Sequence, residues 1–180
     1  MTSMFRPATT LLVQYAQYHR DRRNIATHFA GIPLIVFAIG VLLARPYWAL
    51  GGLVLTPAWV VWALSTLWYV SRGQLFLGLA VSVVNGLLIA LAQQMSGGSV
   101  TQWLGWGLGC FVFGWALQFL GHYYEGRKPA FVDDLIGLLV APMFVTAEVL
   151  FALGWGEALH TEIERSAGPT VIRKLSRIEG

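Results

Sequence analysis

The sequence predicts an all-α integral membrane protein: a bundle of four to five transmembrane helices with an interfacial N-terminal helix. Of 180 residues, 56% are hydrophobic and only 12% charged, against about 25% charged in a typical soluble domain. Mean hydropathy is +0.61, so much of the surface must meet lipid. Apolar runs long enough to cross a bilayer recur along the chain, and Trp48, Trp68, Trp103, Trp106 and Trp155 stand at or near their ends, where indole rings anchor at the membrane–water boundary. In such a chain the excess of three positive charges reports orientation and gives no reason to expect a nucleic-acid partner. Cys110 is the single cysteine and lies inside an apolar run, so no intrachain disulfide can form.

Residues 1–24 are expected to form the interfacial helix and a bend, 25–153 the transmembrane bundle, and 154–180 a polar C-terminal tail. The first helix is placed over roughly Thr9–Arg20, with Leu11, Leu12, Tyr15 and Tyr18 as its apolar face. Arg20-Asp21-Arg22-Arg23-Asn24 reads as the bend, ending in a capping residue. The first span, Ile25–Ala44, stops at Arg45-Pro46; its length corresponds to about 30 Å of helix, one hydrocarbon core. With no cleavable signal before it, this helix is expected to carry the chain into the membrane. The second span, Trp48–Val70, has no charged residue; the third is Leu75–Met95, with Asn85 near its middle; the fourth is Trp103–Gly121.

The fifth, Leu135–Leu153, contains Pro142 and Glu148 and is entered through Asp133-Asp134. A carboxylate in lipid is costly, so Glu148 should face other helices or a wet cavity. A kinked or re-entrant segment is the alternative to a full span. Gly105 and Gly109 form a GxxxG, and Gly78, Ser82 and Gly86 repeat small residues every fourth position; both permit close helix packing. A homo-oligomer is compatible with such surfaces.

Lys and Arg fix the orientation. With the N-terminus inside, Arg6, Arg20, Arg22, Arg23, Arg72, Arg127 and Lys128 all fall on the inner side, and only Arg45 on the other, which puts the N-terminus in the cytoplasm. In the tail, Arg165, Arg173, Lys174 and Arg177 are balanced by glutamates and decide little.

This topology brings three of the four histidines to one membrane face. His28 lies about one turn into the first span, His122 closes the fourth, and His19 precedes the first on the same side. In one unbroken helix His19 and His28 would point about 180° apart, so a shared site demands the bend between them. Imidazole is the commonest transition-metal ligand, and three on one face predict a metal site at the cytoplasmic interface. Gln118, His122 and Glu125 follow at steps of four and three on one helix face. Glu125 is therefore a candidate fourth ligand, an acceptor orienting a histidine, or a solvated partner of Arg127 or Lys128. His160, among Glu157, Glu162 and Glu164, reads as solvated.

Membrane di-iron hydroxylases need larger histidine sets in HxxxH- and HxxHH-type clusters, which this chain lacks. Bis-histidine haem binding between spans stays open, without a CxxCH for covalent attachment. A small haem-binding electron carrier and a non-catalytic lipid-binding or scaffold protein are thus alternatives to a metalloenzyme.

Two segments carry a family resemblance. Tyr15–Pro33 gives H-x4-N-x3-H-x2-G-x-P through His19, Asn24, His28, Gly31 and Pro33, and Gln118–Ala130 adds Gln118, His122, Glu125, Pro129 and Ala130. Together they resemble the 2-hydroxy fatty acid dioxygenase family of small membrane proteins, long grouped as a domain of unknown function, over about Leu11 to Leu153. The resemblance implies Fe(II)-dependent α-oxidation, in which a 2-hydroxy fatty acid is shortened by one carbon with O2. It implies Fe(2+) held by His19, His28 and His122, with Glu125 as a further candidate. A 2-hydroxy carboxylate can chelate iron, and three imidazoles leave positions for it and for O2. Asn24, Arg23, Arg127 and Lys128 are the candidate substrate contacts, the basic residues serving alternatively as topology determinants and lipid-phosphate contacts. Membrane lipid would surround the bundle, with the acyl chain between its helices.

Overall fold

The computed structural model describes residues 5–45, 47–129 and 135–173. Its elements are α1 (Ala8–Ala16), α2 (Arg22–Leu42), β1 (Trp48–Leu50), β2 (Leu53–Leu55), α3 (Pro57–Val70), α4 (Leu75–Met95), α5 (Val100–Glu125), α6 (Gly137–Ala152) and α7 (Glu157–Ala167). Of these, α2, α4 and α5 are each long and apolar enough to cross a membrane, and the bent pair α6–α7 can count as a fourth. Leu64, Leu87, Val112, Phe113 and Phe119 on α3, α4 and α5 are exposed, the sort of outer surface that lipid rather than water would cover.

The helix α2 packs most extensively along α5, with α4 and α6 on its other sides. Three glycines of α5, spaced by seven, make the close approach possible. A Cβ at Gly107 would collide with Leu42, one at Gly114 would stand 3.0 Å from the Gly31 carbonyl oxygen, and one at Gly121 would collide with Thr27 and Asn24. By contrast, Gly105 and Gly109 face open space, while Gly78 and Gly86 meet Tyr69–Val70 and Trp62 of α3. The small-residue pattern of α4 is thus a helix contact, and the GxxxG of α5 faces away from the bundle.

The second apolar segment is not one helix. Trp48–Leu50 and Leu53–Leu55 pair antiparallel around Gly51 and Gly52, which take φ of 54° and 88°. Two successive positive φ values suit the tight turn of a two-residue hairpin. Pro57 then opens α3, because proline lacks an N–H and constrains its predecessor to extended backbone. The 14 residues of α3 rise about 21 Å, short of a hydrocarbon core. Hydropathy reads all these residues alike and does not register the turn.

At the N-terminus the helix is shorter than expected, and its apolar face is covered by protein. Leu11, Leu12 and Tyr15 are buried against α6 and α7. The bend falls at residues 17–21, and Asp21 rather than Asn24 caps α2, its side chain accepting from the Arg23 N–H. Asn24 is buried in the first turn. Trp68, too, is buried rather than set in a lipid belt.

The loops sort to two ends. The Arg72 carbonyl accepts from the Ala8 N–H at the end that holds α1, while Arg45 reaches the Ser96 and Gly98 carbonyls at the other. The helix α6 ends at the α1 side: Glu148 lies 3.9 Å from Arg20, and Trp155 packs on Phe76 at the start of α4. Because α5 ends there as well, the stretch from Gly126 to Ala152 begins and finishes at one end of the bundle, which favours a re-entrant fifth segment. Glu148 faces Arg20, as expected of a carboxylate kept from lipid. After Gly154 and Gly156, both at positive φ, α7 turns by 118° and packs on α1. The polar tail is therefore ordered as far as it is described. Pro46, Ala130, Asp133, Asp134, Lys174 and Arg177 lie outside the described residues.

Candidate metal centre

Three elements deliver the three histidines. His19 stands in the bend after α1, His28 is in the second turn of α2, and His122 is in the last turn of α5, closed by Gly126 at φ 66°. All three are buried, and one ring nitrogen from each lies within 4.8 Å of the others. Ring centroids are 4.5 Å (His19–His28), 4.8 Å (His19–His122) and 5.1 Å (His28–His122) apart.

The hydrogen bonds fix which nitrogens are available. His19 Nδ1 lies 2.7 Å from the Tyr15 carbonyl oxygen and His28 Nδ1 lies 2.9 Å from that of Asn24. A carbonyl can only accept, so each Nδ1 carries the hydrogen and donates. Each neutral ring then presents a bare lone pair at Nε2, and these two nitrogens face each other at 3.0 Å. Two lone pairs cannot bond to one another; a cation or proton between them resolves the contact. For metal–nitrogen bonds of about 2.0–2.1 Å, ligands at right angles stand about 3 Å apart, so the spacing fits adjacent sites on one ion. His122 Nδ1 is buried with no partner, leaving a third ring nitrogen unsatisfied beside the pair. Burial holds the His19 imidazole well below its usual pKa, with further lowering by His28 and His122, which keeps it neutral and able to ligate. The Tyr15 ring stacks on His19 at 4.0 Å and sets its plane.

Glu125 is engaged elsewhere. Its Oε2 accepts from the Arg20 and Asp21 backbone N–H groups (2.9 and 2.7 Å) and from Asn24 Nδ2 (3.1 Å). The other oxygen, Oε1, stands 3.0 Å from an Arg173 guanidinium nitrogen, a charge contact without the alignment of a hydrogen bond. The carboxylate thus pins the backbone just after His19. Asn24 also donates to the Tyr18 carbonyl (3.0 Å), fastening the other side of the bend. Among the described residues, the cluster with metal-ligand spacing is the three histidines alone.

The basic candidates are dispersed. Arg23 is bound to Asp21 and to the Arg173 carbonyl and lies over the Tyr124 ring. Its bond holds the Asp21 carboxyl far below the usual carboxylate range. Arg127 donates to the Gln17 carbonyl, and Lys128 is exposed past the end of α5.

A C-terminal strap completes the frame. Val171 pairs with the bend, donating to the Arg20 carbonyl and accepting from the Arg22 N–H, and the Arg173 N–H donates to Asp21 Oδ2. Neither Asp21 nor Arg173 was legible as part of the site, because nothing in a polar tail announces which residue returns to a bend 150 positions earlier.

An apolar cavity of about 300 Å³ adjoins the cluster. Tyr15, His28, Gln118 and His122 line its polar end; Ile35, Ile39, Phe111 and Trp115 continue it along α2 and α5, with Leu138 and Pro142 of α6 opposite.

A family model described as 2-hydroxy-palmitic acid dioxygenase Mpo1-like matches residues 5–153. The chain is 31% identical over 154 residues to the 2-hydroxy-palmitic acid dioxygenase MPO1 of Saccharomyces cerevisiae, covering 83% of each protein. No solved structure matches it.

Proposed function

Since the chain belongs to the Mpo1-like family, we propose that it is a membrane-embedded, Fe(II)-dependent dioxygenase that shortens 2-hydroxy fatty acids by one carbon. The supporting observation is the pair of Nε2 lone pairs held 3.0 Å apart beside an unpartnered His122 nitrogen, at the polar end of an apolar cavity. His19, His28 and His122 would hold the iron. Once bound, iron supplies activation of O2 and positions for the acid's hydroxyl and carboxylate oxygens.

The protein's own groups do the rest. The carbonyls of Tyr15 and Asn24 keep Nδ1 protonated and Nε2 free on His19 and His28. Glu125 and Asn24 hold the bend that carries His19, so Glu125 belongs to the frame. The apolar walls exclude water from the reacting end. Arg127 and Lys128, on the cytoplasmic side in this reading, attract a carboxylate-bearing lipid to the interface, while Arg23 is committed to Asp21. The overall change, R–CH(OH)–COOH and O2 giving R–COOH, CO2 and H2O, balances without an external reductant.

The crowding of the rings argues against haem: two axial imidazoles need a macrocycle between them, whereas His28 and His122 have ring centroids 5.1 Å apart and His19 stands within 4.8 Å of both. Metal analysis with an optical spectrum distinguishes non-haem iron, haem and a metal-free lipid-binding protein. The activity test adds 2-hydroxypalmitic acid and Fe(II) to the purified protein in air. The expected product is the acid one carbon shorter, abolished by chelation and in His28→Ala and His122→Ala. Absence of that acid, or unchanged turnover in both variants, would overturn the assignment.

A further inference from the structure

The cavity has features that metal binding does not use. Gln118 lies one turn before His122 on the same face of α5, 6% exposed, and its Nε2 has no hydrogen-bond partner. A buried amide donor left unpaired is costly unless something else binds it. Its place is specifically made: a Cβ at Gly31 of α2 would collide with that same Nε2 and stand 2.9 Å from the Gly114 carbonyl oxygen. A glycine is thus required where the amide crosses toward α2, at the polar end of the cavity.

The far end is defined too. From His28 to Ile39 the cavity follows α2 for eleven residues, about 16 Å of helix. Val36, Ile39, Leu138 and Pro142 border both this cavity and a second one of about 180 Å³, reached beyond them and lined by Ser65, Tyr69 and Asn85. These four side chains are a partition. Phe111 and Trp115 of α5 and Leu138, Ala141 and Pro142 of α6 face each other across this cavity.

We infer that this cavity is the fatty-acyl site, that Gln118 donates from Nε2 to the carboxylate of the 2-hydroxy acid, and that the Val36–Ile39 partition sets the chain length accepted. The inference rests on the dioxygenase reading for the identity of the ligand; the donor and the partition stand on the geometry. The chain lies between α5 and α6, and its polar head comes to rest under Gln118 beside the imidazoles.

The test measures binding and turnover separately on the full chain in detergent. Calorimetry of the chelator-treated protein compares 2-hydroxypalmitate with 2-hydroxydecanoate. Gln118→Leu should weaken 2-hydroxypalmitate binding about ten- to hundredfold, the loss of a hydrogen bond to a charged group. With iron, it should raise KM by a similar factor and leave kcat within a few-fold. If that variant does not fold, Gln118→Glu keeps the shape and sets a carboxylate against the ligand's, so binding should fall further. Ile39→Ala should join the two cavities and shift the optimum to longer acids. Wild-type KM in both Gln118 variants, or an unchanged chain-length profile in Ile39→Ala, would overturn the inference and leave the dioxygenase assignment standing. Gln118-dependent binding without any shortened acid would uphold this site and remove that assignment.

Discussion

Glu125 shows how one side chain can control a site without entering it. Its carboxylate is 2% exposed and takes three N–H donors from the bend. Stripping those donors of their acceptor leaves two backbone amides and the Arg173 charge uncompensated. Glu125→Ala is therefore expected to cost about 2–5 kcal/mol, chiefly from the two buried amides left unpaired, read as a drop in the unfolding midpoint, together with weakened metal retention. Glu125→Gln retains one oxygen acceptor and should fall between the two, so equal midpoints for Gln and Ala would refute the reading. Arg173→Ala leaves the backbone bonds in place; it should loosen metal affinity while lowering stability less than Glu125→Ala, as measured by metal titration and thermal unfolding. The sequence put Glu125 on the same helix face as Gln118 and His122. Whether it turns toward a metal or toward the chain depended on a bend whose register no spacing rule specifies.

At the scale of elements, the α2–α5 contact carries the site, since these helices bear His28 and His122. Gly121 is its tightest point: a Cβ there would collide with Thr27 and Asn24 and stand 3.2 Å from His28 Nδ1. Gly121→Ala should force the helices apart at the site, costing about 1–3 kcal/mol as overpacking does and sharply reducing activity. Gly105→Ala, where an added Cβ would meet nothing within 4 Å, should leave the unfolding midpoint unchanged or slightly raised. A comparable fall in both variants would mean that the seven-residue glycine spacing is incidental. The sequence displayed the GxxxG more conspicuously than the spaced glycines, because a local motif is visible in a window of five residues and a face is defined only by the partner helix.

Across the whole molecule, charge and topology agree. Arg20, Arg22 and Arg23 cluster with the strap at the histidine end, and Arg45 sits at the other. Gly126 and Ala152 both lie toward the end that holds α1, and the described C-terminal residues lie beside the N-terminal bend. In intact inverted and right-side-out vesicles, on a Cys110→Ser background, a cysteine at Gly97 should be labelled from the face opposite to that which exposes reporters at both termini. Termini on opposite faces would require a fully crossing fifth segment. The 1–24, 25–153 and 154–180 divisions, drawn by hydropathy, separate segments that the strap ties together.

The sequence by itself determined the helical class, the grouping of basic residues at one end, and the meeting of His19, His28 and His122, because apolar run lengths, charge asymmetry and a forced bend are properties of local composition and periodicity. The tertiary structure alone decided that Trp48–Val70 breaks into a hairpin and a short helix, that Glu125 turns to the backbone, and that Arg173 closes the frame. Each of these rests on a turn geometry or on a contact between residues far apart in the chain, and such contacts are selected by packing and by the cost of leaving buried polar groups unpaired, which a linear pattern does not record.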